Sequence, residues 1–236
     1  MNNITDDDSV EVVRDYERNR TAGAQMTLRI LRNEKNMGNC ASRNRAIAEA
    51  KGDVVVIVDA DCMLNHSYLS DHFRAHAHGD CDAAIGPMNI ETNGLPALSV
   101  LGRYEADAQL AAANAAMQDT TNADHFVNCV TRNFSISKRF VAERLNDELF
   151  DNLFAYSRDP QSGFGWEDVE MGCRLYKAGA RIRNLPSTIS IHVSHPSTTD
   201  ERTKPLRSLK NFRRLHEKHP DLILLARQWS ITTYNA

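Results

Sequence analysis

Asp53-Val54-Val55-Val56-Ile57-Val58-Asp59-Ala60-Asp61 holds the most apolar run of the chain, closed at once by two carboxylates. Five consecutive β-branched residues predict a strand buried on both faces of a parallel sheet. In open α/β sheets, ligands bind beyond the carboxyl ends of the strands. Asp59 and Asp61 therefore stand where oxygen ligands could hold a hard divalent cation together with a substrate phosphate. Read alone, the pair is better explained as turn or helix-cap residues.

Working outward, strand and helix signals alternate. Upstream, Asn3-Ile4-Thr5 reads as a strand end, and Ser9 caps a predicted helix over 10–18. A strand is predicted at 26–31, a turn at 36–39 and a helix at 41–50, with Gly52 as its stop. Downstream, helices are predicted at 64–78, 97–118 and 138–145, and strands at 83–87 and 126–137. A loop over 158–165 leads into a helix at 167–178 with Gly179 at its C-cap position. Strands follow at 181–185 and 188–193, then helices at 205–218 and 221–229. This order predicts a mixed, mainly parallel sheet flanked by helices. The basic residues Arg207, Lys210, Arg213 and Arg214 read as a solvated face, with a membrane-surface or anionic-ligand role as the alternative.

The chain has 236 residues and is 42% hydrophobic, enough for one large α/β domain. Its net charge of −3 argues against a nucleic-acid surface. No apolar run is long enough to span a bilayer, and no secretory leader is expected. The five cysteines are scattered and odd in number, without a Cys-X-X-Cys pair. They read as reduced thiols of a cytosolic protein, with attachment to the inner membrane face through partners left open. A nucleotide-binding half (1–125), a catalytic half (126–200) and a helical tail (201–236) are the expected subdivisions.

Several short motifs occur in order: Asp6-Asp7-X-Ser9; Asn36-X-Gly38 with Arg43-Asn44; Asp59-X-Asp61; Arg132-Asn133-Phe134-Ser135-Ile136-Ser137; Gly165-Trp166-Glu167-Asp168-X-Glu170; and His192. Together they resemble the GT-A-fold glycosyltransferases of family 2 type. The C-terminal half is similar to the galactosyltransferase and chondroitin-polymerase branch. The resemblance covers residues 4 to about 200. It implies a Rossmann-like α/β fold and an inverting, metal-dependent transfer from a nucleotide-diphosphate sugar, a UDP-sugar above all, to a saccharide acceptor. It implies that Asp6 or Asp7 contacts the base or ribose, that Arg43 lies near the nucleotide, and that Asp61, His192 and less directly Asp59 hold Mn²⁺ or Mg²⁺. Asp168 would be the catalytic base, with Trp166, Glu167 and Asn133 around the acceptor and sugar.

The chemistry requires these residue types. A cation bridging the diphosphate stabilises the charge of the leaving group. A carboxylate must take the proton of the attacking hydroxyl. Each residue also has a plainer reading. Glu167 and Asp168 suit a first helical turn; His192 fits a half-buried strand, Arg43 a helix surface, and Asn133 a turn. The pattern departs from the family in three places. The usual opening strand is absent, Asp8 stands where relatives carry glycine, and the segment 155–164 is long enough to act as a lid or to be a surface insertion. The missing strand sustains a second hypothesis, a catalytically silent GT-A-like domain that binds glycan or a partner. A sugar nucleotidyltransferase ranks below both, because no Gly-rich, Arg-containing phosphate loop is present.

Overall fold

The computed structural model describes residues 8–19, 26–87, 91–92, 126, 129–156, 159, 161–193 and 202–222. The strand end read at 3–5, the helix predicted at 97–118 and residues 223–229 of the helix predicted at 221–229 lie outside them. The described elements are α1 (Ser9–Asn19), α2 (Gly38–Glu49), β1 (Val54–Ile57), β2 (Cys62–Leu64), α3 (Tyr68–His76), β3 (Ala83–Ile85), β4 (Glu91–Thr92), β5 (Phe134–Ser137), α4 (Lys138–Leu145), α5 (Glu167–Lys177), β6 (Ile182–Asn184), β7 (Ser190–Val193) and α6 (Lys204–Lys218).

The decisive β-branched run does form a strand, in a four-stranded sheet ordered β1-β5-β3-β6. That sheet is mixed, as expected: β1, β3 and β6 run in one direction, and β5, inserted between β1 and β3, runs antiparallel to both. β1 is not buried on both faces. Among the described strands it is an edge, its residues are half-buried, and Val58 is 39% exposed. The strand expected at 26–31 is extended coil, with one bridge residue at Arg32.

A second sheet, β2-β7-β4, crosses the carboxyl end of β1. Residues 62–64 pair with β7, Cys62 facing His192 in register. That long-range pairing pulls them out of the helix predicted from residue 64, so α3 starts at Tyr68. The 126–137 strand signal likewise shortens to Phe134–Ser137.

The core lies on one face of the main sheet. Ala83, Ile85, Phe134 and Ile136 pack against Cys40 and Ile47 of α2, Phe140 and Val141 of α4, and Met171, Cys173 and Leu175 of α5. α5 approaches the chain very closely at Gly172, where a Cβ would stand 1.9 Å from the Phe126 carbonyl oxygen. Its first turn is tied to the end of α6. Glu170 is fully buried and accepts from Arg174 at 2.8 Å, with Lys218 at 2.8 Å and His219 at 3.3 Å. Such a charge is tolerated in the interior only when several donors surround it.

Candidate active site

β1 delivers Asp59 and Asp61 to its carboxyl end. The Asp59 carbonyl accepts from the Cys62 amide, making a tight turn that points the chain into β2. There Asp61 meets β7: its carbonyl accepts from Val193 N at 2.8 Å, and its Oδ2 lies 3.3 Å from His192 Nε2. Asp61 and His192, far apart in sequence, thus share one side of the site. Among the described residues no three His, Cys, Asp or Glu side chains gather as a metal centre. A two-ligand edge suits an ion that takes its remaining ligands from phosphate oxygens and water.

Arg43 organises the other side. Its Nη2 donates to Asp59 Oδ1 at 3.2 Å, while Nη1 lies 3.6 Å from Glu167 Oε1 and 3.7 Å from Asp168 Oδ1. The guanidinium also rests 5.4 Å above the Phe150 ring. Asn44 fixes that ring's backbone, donating to Phe150 O at 2.7 Å and accepting from Phe150 N at 2.9 Å. Burial works against the Arg43 charge, but Asp168, Asp59 and Glu167 outweigh it and hold the group more firmly protonated than usual.

The two acids at the start of α5 are presented by an unusual turn. Gly165 and Trp166 both adopt left-handed backbone, at φ 67° and 70°. Glycine adopts this conformation freely, whereas tryptophan is strained there, and such strain persists only where the surroundings enforce it. The enforcement comes from α6. The Trp166 indole N–H donates to Ser208 at 2.8 Å, its ring packs 4.9 Å from Phe212, and Asn211 donates to the Gly165 carbonyl. Trp166 therefore anchors the turn, with its polar edge committed to α6. The preceding loop is also held down by α6: Arg207 donates to Ser162 Oγ and to the carbonyls of Ser162 and Gly163. Residues 161–165 are a docked segment rather than a free lid.

Glu167 accepts from Asn39 Nδ2 at 2.9 Å, and Asp168 Oδ2 accepts from both the amide and the hydroxyl of Thr131 at 3.2 Å. Three buried atoms here have no hydrogen-bond partner: Arg43 Nη1, Glu167 Oε2 and Asp168 Oδ1. Buried polar atoms are rarely left so, and a cluster of them marks a place completed by a ligand. Burial pushes the Glu167 carboxyl well up, Asp168 beside it adds to the push, and Arg43 pulls back. Burial also raises Asp168, against the pull of Arg43 and of the Thr131 donors.

Asn133 is 2% exposed. Its amide donates to Thr188 O at 2.7 Å, and its Oδ1 lies 3.1 Å from His72 Nε2. Of the two readings left open by the sequence, this geometry matches the backbone-satisfying one: Asn133 ties the 131–133 turn to the approach of β7. Asp6 and Asp7 lie outside the described residues. Sequence reasoning missed Thr131 and Asn39. Thr131 sat inside a stretch read as strand, and Asn39 inside a stretch read as a plain turn.

The chain is similar to several known proteins. The chain is 23% identical over 213 residues to "Uncharacterized glycosyltransferase YfnE" of Bacillus subtilis (strain 168), covering 74% of this chain and 52% of that one. It is 25% identical over 217 residues to chondroitin synthase of Escherichia coli, covering 81% and 29%. The chain thus spans about half the length, or less, of the curated relatives it matches. Among solved structures, GalNAc-T7 with UDP, GalNAc and Mn²⁺ superimposes with a TM-score of 0.57 at 13% identity, over 91% of this chain and 40% of that one. The fold is therefore GT-A, a mixed α/β sheet with flanking helices. The family model described as glycosyl transferase family 2 matches residues 2–138, more than half of the sequence, and the chain belongs to that family.

Proposed function

We propose that this chain is an inverting, metal-dependent glycosyltransferase that moves a sugar from a nucleotide-diphosphate sugar, a UDP-sugar, to a saccharide acceptor. The observation that carries the reading is Asp168 Oδ1: a buried carboxylate oxygen without a hydrogen-bond partner among the described residues, beside a guanidinium that also binds Asp59. Asp168 serves as the base that takes the proton of the attacking hydroxyl. Asp61 and His192 would hold Mn²⁺ or Mg²⁺, which would supply charge stabilisation to the departing diphosphate. Asp59, engaged with Arg43, steers that guanidinium towards the nucleotide and acts on the metal less directly. Glu167, poised near neutrality by burial, is suited to donate a hydrogen bond to a sugar oxygen. A single base attacking opposite the leaving group inverts the anomeric carbon.

UDP and Mn²⁺ in the solved GalNAc-T7 structure support the donor and the ion. No helix among the described residues is long and apolar enough to cross a membrane, and the five cysteines are free thiols, as suits a reducing compartment.

The test is calorimetric titration of Mn²⁺ and UDP into the wild type and Asp61→Ala, followed by turnover of a panel of UDP-sugars. Metal-dependent UDP binding that the substitution abolishes is the expected result. No binding by the wild type would instead favour a catalytically silent domain.

A further inference from the structure

The turn before β5 reaches across to the one carboxylate on which the proposed chemistry depends. Thr131 is buried at 1% exposure, and its amide and its Oγ1 both donate to the same atom, Asp168 Oδ2, at 3.2 Å each. The other oxygen, Oδ1, is buried, lacks a hydrogen-bond partner and lies 3.7 Å from Arg43 Nη1. We propose that Thr131 is a positioning residue for Asp168: its two donors pin Oδ2 and so assign to Oδ1 the proton of the acceptor hydroxyl. This rests on the reading of Asp168 as the base.

The frame around Thr131 is rigid enough for the task. Cys129 N bonds Phe126 O, and Asn133 N bonds Val130 O, closing the turn from both sides. Phe126 is pressed onto α5 at Gly172, one helical turn beyond Asp168. Asn133 fastens the other end of the turn to Thr188. Two donors on one oxygen block rotation of the carboxylate, which would otherwise exchange its two oxygens freely. They also favour the ionised form, since hydrogen bonds to a charged acceptor stabilise the charge.

The step balances simply. The hydroxyl proton passes to Oδ1 as the hydroxyl oxygen bonds the anomeric carbon. The bond from that carbon to the diphosphate oxygen breaks, and its electron pair leaves with the diphosphate. The charged and titratable groups that face Asp168 are Arg43 and Cys40 from α2, Asp59 after β1, Tyr156 and Cys129 from the loops, and Glu167 beside it. Arg43 and Thr131 favour the carboxylate; burial and Asp59 oppose it.

The experiment follows the Asp168 carboxyl directly, by carbon NMR of protein labelled at the aspartate carboxyl carbon and free of metal, with the resonance assigned through Asp168→Asn. Thr131→Val removes the hydroxyl while keeping the shape and the amide. It is expected to move the Asp168 titration upward by about one pH unit, the tenfold change that losing a charge-assisted hydrogen bond brings. Thr131→Ser is expected to restore it. In turnover of the UDP-sugar that the wild type hydrolyses or transfers, the acid limb of kcat/KM should shift by the same amount in Thr131→Val and return in Thr131→Ser. An unchanged Asp168 titration in a folded Thr131→Val protein overturns the proposal. Asp168→Asn with full turnover overturns the base reading beneath it, whatever the NMR titration shows, so the two failures are told apart.

Discussion

The two sides of the site are built in opposite ways. On the Asp168 side, every carboxylate is buried against fixed partners: Thr131 on Asp168, Asn39 on Glu167, and Arg43 between them. On the Asp61 side, two half-buried side chains meet at 3.3 Å, one in the turn before a three-residue strand and one on a four-residue strand. On the first side the side chains are set before any ligand arrives, and three buried atoms await one. The second would supply, on the proposed reading, only part of a coordination shell. Electrostatic preorganisation is effective where dipoles need no rearrangement during the reaction. An ion that brings its own phosphate ligands needs less from the protein. On the proposed reading, rigidity lies where the proton would move, and openness where the substrate would carry the missing ligands.

That contrast can be broken most sharply at Asp168. Asp168→Asn keeps the shape and removes the base, so kcat should fall by about a hundred- to ten-thousandfold while Mn²⁺·UDP affinity is kept. Calorimetry alongside steady-state turnover checks both halves of that statement.

The next effect concerns the scaffold behind the finished side. His72 is fully buried, with Nδ1 2.8 Å from Ser135 Oγ and Nε2 3.1 Å from Asn133 Oδ1. Burial pushes its pKa down from 6.5 to about 4. A group whose folded pKa is depressed in this sense binds its proton more readily when unfolded. Its contribution to stability is therefore complete above pH 6.5 and lost as the pH falls towards 4. The loss should reach about 3 kcal/mol, read as a falling Tm across that window. A Tm that is flat between those values would mean that the network tolerates a charged imidazole.

The smallest effect is expected on the open side. His192→Ala should weaken Mn²⁺ binding roughly ten- to hundredfold. Because the ion and diphosphate complete the site together, added Mn²⁺ should recover most of the turnover. A loss that excess metal cannot restore would show that His192 does more than hold the ion, and would erase the contrast between the two sides.

Much of this was legible in the sequence. The run 54–58 with its trailing aspartates and the acidic start of α5 follow local patterns that the fold preserves, and His192, singled out by the family resemblance, lies beside Asp61. What was not legible depends on long-range pairing. Cys62–Leu64 becomes a strand because β7 lies beside it. β5 runs against both its neighbours, a direction its own four residues do not encode. Thr131 was hidden for the same reason: no spacing rule links it to Asp168, 37 residues later.

The strained Trp166 has a practical consequence. The chain contains two tryptophans, Trp166 and Trp229. The indole of Trp166 is hydrogen-bonded to one residue of α6 and packed on another, and its backbone leads directly into the acidic turn. With Trp229 replaced by phenylalanine, the remaining fluorophore would be a built-in optical gauge of whether α6 is seated against the site, readable without donor, metal or acceptor.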